Sequence, residues 1–162
     1  MEPKEKEILI EINNIKKKGM AIAKRFINCE NYIGLFLGDT INIFELSENL
    51  DISPKSSILT GNFIENIDFN YKYKYILLSI SSDDYMKLYN ITEKNNFEVI
   101  CTFNGPNSKS AKHAKFNPVN ENLIISSKTK IIDIWDVTRY TNIMNIQNED
   151  IIYDLKWDIS GN

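Results

Sequence analysis

The chain has 162 residues, 43% of them hydrophobic and 25% charged, which is ordinary globular usage and long enough for one domain with its own core. The formal net charge of -3 excludes any general pull toward nucleic acid, although residues 1–25 carry seven Lys/Arg against four Glu and so stand at +3, against -6 for the rest. Two cysteines, Cys29 and Cys101, are too few for a disulfide framework, no apolar run is long enough to span a bilayer, and MEPKE is not the start of a signal peptide. A cytoplasmic protein with reduced, packed thiols is expected.

Taken in chain order, the first element is 7–12 (EILIEI), whose isoleucines alternate like an edge strand with one buried face. Adding Ile15 makes a helix face also readable there. Lys16, Lys17 and Lys18 follow, then a short alternating segment, 23–26 (AKRF), which contains Lys24 and Arg25. The nearly continuous apolar run 32–37 (YIGLFL) suits an inner strand buried on both faces, and Gly38-Asp39 forms a turn. A strand over 40–46 (TINIFEL) leads into a long polar connector, 46–60.

The order then recurs. Segment 67–69 (IDF) precedes the apolar run 75–80 (YILLSI), a turn at Ser82-Asp83-Asp84, the strand 85–91 (YMKLYNI) and a second connector, 93–105. Segment 114–116 (AKF) precedes the turn Asn117-Pro118-Val119-Asn120, the run 122–126 (NLIIS), a turn at Ser127-Lys128 and the strand 131–137 (IIDIWDV). A final unit opens at 149–162 and contains 155–157 (LKW).

Two sets of aromatic anchors share this period. Phe44, Tyr89 and Trp135 are 45 and 46 residues apart, the last in a literal Trp135-Asp136. Phe26, Phe69, Phe116 and Trp157 follow at intervals of 43, 47 and 41. A period of roughly 40–45 residues with a WD dipeptide marks the four-stranded blades of a WD40-type β-propeller. A generic β-sandwich explains the alternating strands but not two anchor sets in one register. The expected fold is all-β, about three and a half blades, with residues 1–19 an N-terminal extension whose 7–12 segment is a candidate ring-closing outer strand. The repeats fall at approximately 20–60, 61–105 and 106–148, and the next starts at 149–162. The anchors should be buried between blades. The stop at Gly161-Asn162, in a turn, suggests a fragment or shortened gene product whose open flanks invite association.

A WD blade usually carries an aspartate in its tight turn. Asp83 holds that position in the second unit, but Gly38 and Thr129 hold it in the others. The customary Gly-His is missing, with Thr60 and Asn107 near the expected histidine positions. These blades should depend on apolar packing more than on a hydrogen-bond relay.

The connector order, the LSENLD stretch at 46–51, the strand IDIWDV at 132–137 and the segment IYDLKW at 152–157 resemble the N-terminal half of the coronin propeller, over roughly residues 20–162. The resemblance implies a seven-bladed propeller, a linker and a coiled coil beyond this chain through which oligomers form. It also implies actin filaments as partner, a cytoskeletal location and a filament-binding surface that includes basic residues of the first blade. Lys16, Lys17, Lys18, Lys24 and Arg25 are the candidates, although strand alternation separates Lys24 from Arg25. Residues 1–19 depart from the family in lacking its basic-aromatic N-terminal signature. A general WD40 adaptor that binds other proteins through its propeller faces, with no actin role, is the alternative reading.

No catalytic constellation is legible and no cofactor is expected. The single histidine, His113, lies on a strand without a Cys or second His at zinc-ligand spacing, and there is no nucleophile elbow or Gly-rich phosphate loop. Asp83-Asp84 reads as a solvated turn rather than a metal site. Basic residues without interleaved aromatics do not suit single-stranded nucleic acid.

Overall fold

The computed structural model describes residues 21–27, 30–49, 51–73, 75–80, 85–91, 97–103 and 111–162; within these, the side chains of 21–27, 30–31, 37, 46 and 75–80 are left aside. Among the described residues there is no helix. The strands are β1 (Ala21–Ile27), β2 (Glu30–Leu37), β3 (Thr40–Leu46), β4 (Ile52–Leu59), β5 (Ile64–Phe69), β6 (Tyr75–Ile80), β7 (Met86–Ile91), β8 (Phe97–Phe103), β9 (His113–Phe116), β10 (Leu123–Lys128), β11 (Ile131–Asp136) and β12 (Thr141–Gln147). They form three four-stranded sheets, β1 to β4, β5 to β8 and β9 to β12, each an antiparallel meander in chain order.

The third strand of every sheet carries an anchor, and the ladder to the fourth strand shifts register beside it: between Ile43 and Phe44, Leu88 and Tyr89, and Ile134 and Trp135. The extra residue sits on the fourth strand each time: Lys55, Ile100 and Ile143. A bulge at one repeated place bends each outer strand and strengthens its local twist.

The sheets stack through their large faces. Tyr32, Ile41, Ile43, Ile67, Phe69 and Tyr89 belong to one buried cluster between the first and second sheets. Gly34 permits this approach: a Cβ there would fall 2.8 Å from Ile67 Cδ1 and 2.9 Å from Phe69 Cζ. Met86, Leu88, Phe103, Phe116, Ile124 and Trp135 fill the second interface, where the Phe103 and Trp135 rings meet edge to face at 5.4 Å.

The structure corrects several sequence expectations. The polar connectors contain the fourth strands β4 and β8, concealed by exposed positions and by Pro54 and Lys55. The apolar runs are second in their sheets. Those in β2 and β10 are buried on both faces, but β1, β5 and β9 approach one another and hold the inner position. The turn placed at Ser127-Lys128 falls at Thr129-Lys130, because β10 continues to Lys128. Phe44 and Trp157 are half-buried rather than buried. Segment 155–157 forms no ladder among the described residues; Leu155 is buried and Trp157 Nε1 donates to the Lys115 carbonyl at 3.2 Å.

Candidate interaction surface

The turns after the inner strands β5 and β9 are built from one residue type. Asn70 and Asn117 directly follow the anchors Phe69 and Phe116, and both are buried. Asn70 Oδ1 accepts from the amides of Lys72 and Tyr73 at 2.9 and 3.0 Å; Asn117 Oδ1 accepts from those of Val119 and Asn120 at 2.9 and 2.8 Å. Side-chain closure of this kind replaces backbone bonds that a tight turn cannot make. Each amide nitrogen then reaches the next unit: Asn70 Nδ2 donates to the Glu121 carbonyl at 2.8 Å, and Asn117 Nδ2 to the Gly161 carbonyl at 2.7 Å. Asp158, after Trp157, repeats the turn by accepting from Ser160 N at 2.9 Å. One side chain thus shapes a turn and clasps it to the adjoining repeat. Sequence reading marked the turn at 117–120 but missed the recurring aromatic-Asn/Asp pair, which was the available signal.

These turns bring together Tyr71, Lys72 and Tyr73 with Glu121. Lys72 Nζ pairs with Glu121 Oε1 at 2.5 Å, and Tyr71 OH donates to Glu121 Oε2 at 2.8 Å. The hydrogen bond from Lys72 is the first cause that holds the Glu121 carboxyl down to about 2. Burial, then the bond to Glu121, raises the Tyr71 phenol, and the Lys72 ammonium is raised chiefly by the Glu121 hydrogen bond. Beside this cluster a cleft of about 290 Å³ opens between the second and third sheets, lined by Tyr73, Leu88, Ile100, Glu121, Val137 and Tyr140 among others. Tyr140 projects from a backbone at φ 55°, a left-handed position that few non-glycine residues adopt. The cleft combines an aliphatic floor, two tyrosines and a fixed ion pair, chemistry suited to holding a side chain by contact.

A second cavity, of about 280 Å³, lies between β9 and the 155–157 segment, lined by Lys115, Phe116, Pro118, Lys156 and Trp157. Lys115 Nζ lies 3.6 Å from the buried carboxylate of Asp68, whose other oxygen accepts from the Phe116 amide at 2.9 Å, so both link β5 to β9. His113 begins β9 and is half-buried. Burial raises the Cys101 thiol, which is half-exposed. No group of three His, Cys, Asp or Glu side chains among the described residues is arranged to hold a metal ion.

Of the residues singled out from sequence, Lys16, Lys17, Lys18, Phe26 as a side chain, Cys29 and Asp83 lie outside the described set. Lys24 and Arg25 are adjacent on β1, opposite Ile33 and Tyr32 in register; their side chains are likewise outside it. Tyr89, Phe69, Phe116 and Trp135 are buried at the interfaces. Trp135 Nε1 donates to Ser126 Oγ at 2.9 Å, a buried polar link between β11 and β10. Asp136 accepts from Thr138 N at 2.8 Å and Arg139 N at 3.2 Å and closes the turn into β12; its carboxyl is lowered first by the Thr138 hydroxyl.

Three antiparallel meanders, stacked face to face with their first strands inward, define the class: the chain folds as part of a WD40-type β-propeller. Among solved structures, it is similar to the WD40 domain of Toxoplasma gondii coronin, with a TM-score of 0.64 and 17% identity. That likeness covers 87% of this chain and 38% of the other, so the chain spans well under half the length of its structural neighbour. A scan against protein-family models finds no match, and neither does a comparison with curated proteins.

Proposed function

We propose that this chain is a non-catalytic propeller module that binds other proteins, and that its partner is the actin filament. The propeller fold supports an interaction role, together with a cleft of tyrosines, aliphatic side chains and a paired Lys72-Glu121 where inter-repeat turns meet. The actin reading is supported by the likeness to a coronin WD40 domain and by the connector order and short matches at 46–51, 132–137 and 152–157. Fold by itself does not select a partner. The excess of positive charge in residues 1–25 favours an acidic filament surface, with Lys16, Lys17, Lys18, Lys24 and Arg25 contributing.

Co-sedimentation with actin filaments tests this reading. The chain is expected to pellet with filaments at low salt and to be released as salt rises, because screening shortens the reach of exposed charge to about 8 Å near physiological ionic strength. Changing Lys16, Lys17 and Lys18 together to Glu should weaken pelleting without moving the melting temperature. A wild-type chain that stays in the supernatant at low salt removes actin and leaves a general adaptor. Equal pelleting by the triple variant keeps actin but relocates the contact.

A further inference from the structure

The segment that joins β3 to the second sheet carries four serines, Ser47, Ser53, Ser56 and Ser57, and their hydroxyls are not in one state. Ser47 Oγ accepts from the Asp51 amide at 3.1 Å and closes the turn into β4. Ser56 is half-buried, and Ser57 Oγ donates to Asn42 Oδ1 at 3.1 Å. Ser53 is exposed, and its hydroxyl makes no hydrogen bond among the described residues. It is also the only serine or threonine of the chain that directly precedes a proline.

β4 presents this serine in the form that a modifying enzyme reads. Ser53 lies on the outermost strand of the first sheet, so the backbone around it is extended, and the side of β4 away from β3 has no partner strand among the described residues. Every blade of a closed propeller keeps such an outer edge. Pro54 has no backbone N–H to give to the ladder and stands at the bulge opposite Phe44, where the pairing already shifts. Protein kinases bind a substrate as an extended segment around the acceptor hydroxyl, and one class of them selects a proline directly after it.

The neighbours of Ser53 give its modification a consequence. Ser53 stands directly opposite Glu45 in the ladder of β3 and β4, so their side chains share a face. Lys55, the extra residue of the bulge, donates from Nζ to Glu45 Oε2 at 3.2 Å and lies 5.5 Å from the centroid of the buried Tyr32 ring. We propose that Ser53 is a phosphorylation site for a proline-directed protein kinase, and that its phosphate loosens β4 from β3 by opposing Glu45 and competing for Lys55. In the transfer, a bond forms from Ser53 Oγ to the γ-phosphorus of a nucleoside triphosphate as the bond from that phosphorus to its bridging oxygen breaks. The nucleoside diphosphate leaves, and the hydroxyl proton passes to the catalytic aspartate of the kinase. A neutral hydroxyl is thereby replaced by about two negative charges across from the Glu45 carboxylate, and like charges directly opposite each other weaken a ladder. Ser53, Glu45 and Lys55 take no part in the proposed actin contact.

Incubation of the 162-residue chain with Mg-ATP and a purified cyclin-dependent or mitogen-activated protein kinase, read by tandem mass spectrometry, tests the site. One phosphoryl group per native chain is expected, at Ser53. Ser53→Ala should abolish its incorporation and Pro54→Ala should remove most of it, each with an unchanged far-UV circular dichroism spectrum. Hydrogen exchange tests the consequence: the amides of β4 should exchange about two- to fivefold faster in the phosphorylated chain, and Glu45→Gln should abolish that acceleration. A native wild-type chain that takes no phosphoryl group at Ser53 from either kinase, or takes it only once unfolded in urea, would overturn the site. Unchanged β4 exchange after phosphorylation, or an acceleration that persists in Glu45→Gln, would overturn the coupling to Glu45.

Discussion

Thr129 and Gly38 occupy one repeat position, the tight turn between second and third strands, and both have left-handed backbones, at φ 46° and 61°. Glycine takes this conformation freely, whereas a β-branched residue is strained there. Thr129 is exposed, so its side chain contributes little packing in return. Asn tolerates the left-handed region without glycine's entropy cost in the unfolded chain. Thr129→Asn is therefore expected to stabilise the protein by about 1 kcal/mol, read as a higher urea midpoint at unchanged slope. A lower midpoint would show that Thr129 is not strained.

Glu121 makes a prediction of opposite kind, in pH. Its carboxyl is lowered from 4.5 to about 2 in the folded state, so its contribution is fully present above the unfolded value and lost as pH falls from about 4.5 toward 2. A carboxyl carbon titration by NMR should place its midpoint near the lower value, and Glu121→Gln should flatten the acid limb of the stability curve. A midpoint in the ordinary carboxylate range would mean that the Lys72 and Tyr71 contacts do not persist in solution.

At the scale of elements, two recurring devices organise the sheets: the bulge beside each third-strand anchor and the asparagine after the inner strands β5 and β9. Asn117 satisfies two turn amides and one carbonyl of the next unit from a buried position, as Asn70 does one repeat earlier. Asn117→Ala and Asn70→Ala should each cost about 2–3 kcal/mol, since a buried donor or acceptor left without a partner carries the full desolvation penalty. Denaturant titration of both variants checks this. If either is neutral, the matched geometry at that site carries no comparable energy.

For the molecule as a whole, the second sheet shares one large buried face with each neighbour, so no sheet can open without exposing apolar surface on another. Both tryptophans, Trp135 and Trp157, report on the third sheet and the segment beyond it, whereas circular dichroism reports on all strands. The two probes are expected to give coincident unfolding transitions. Separated midpoints would show that the interface between the first and second sheets melts independently.

The all-β propeller architecture was legible in the sequence because each blade repeats one pattern of burial, and burial is what alternation and anchor spacing encode. Trp135 and Phe116 stand out for that reason: a large aromatic at a fixed interval has few places to go but between stacked sheets. The outer strands were not legible. β4 and β12 have one poorly covered face, so ISPKSSIL and TNIMNIQ carry little apolar signal, and their membership of a sheet is fixed by ladder bonds to β3 and β11. The cleft was hidden for a related reason, since Tyr73, Glu121 and Tyr140 are far apart in the chain and meet only when two sheets stack. Local pattern determines which residues must leave water; only the stacking decides which distant turns become neighbours, and with them the surface that a partner meets.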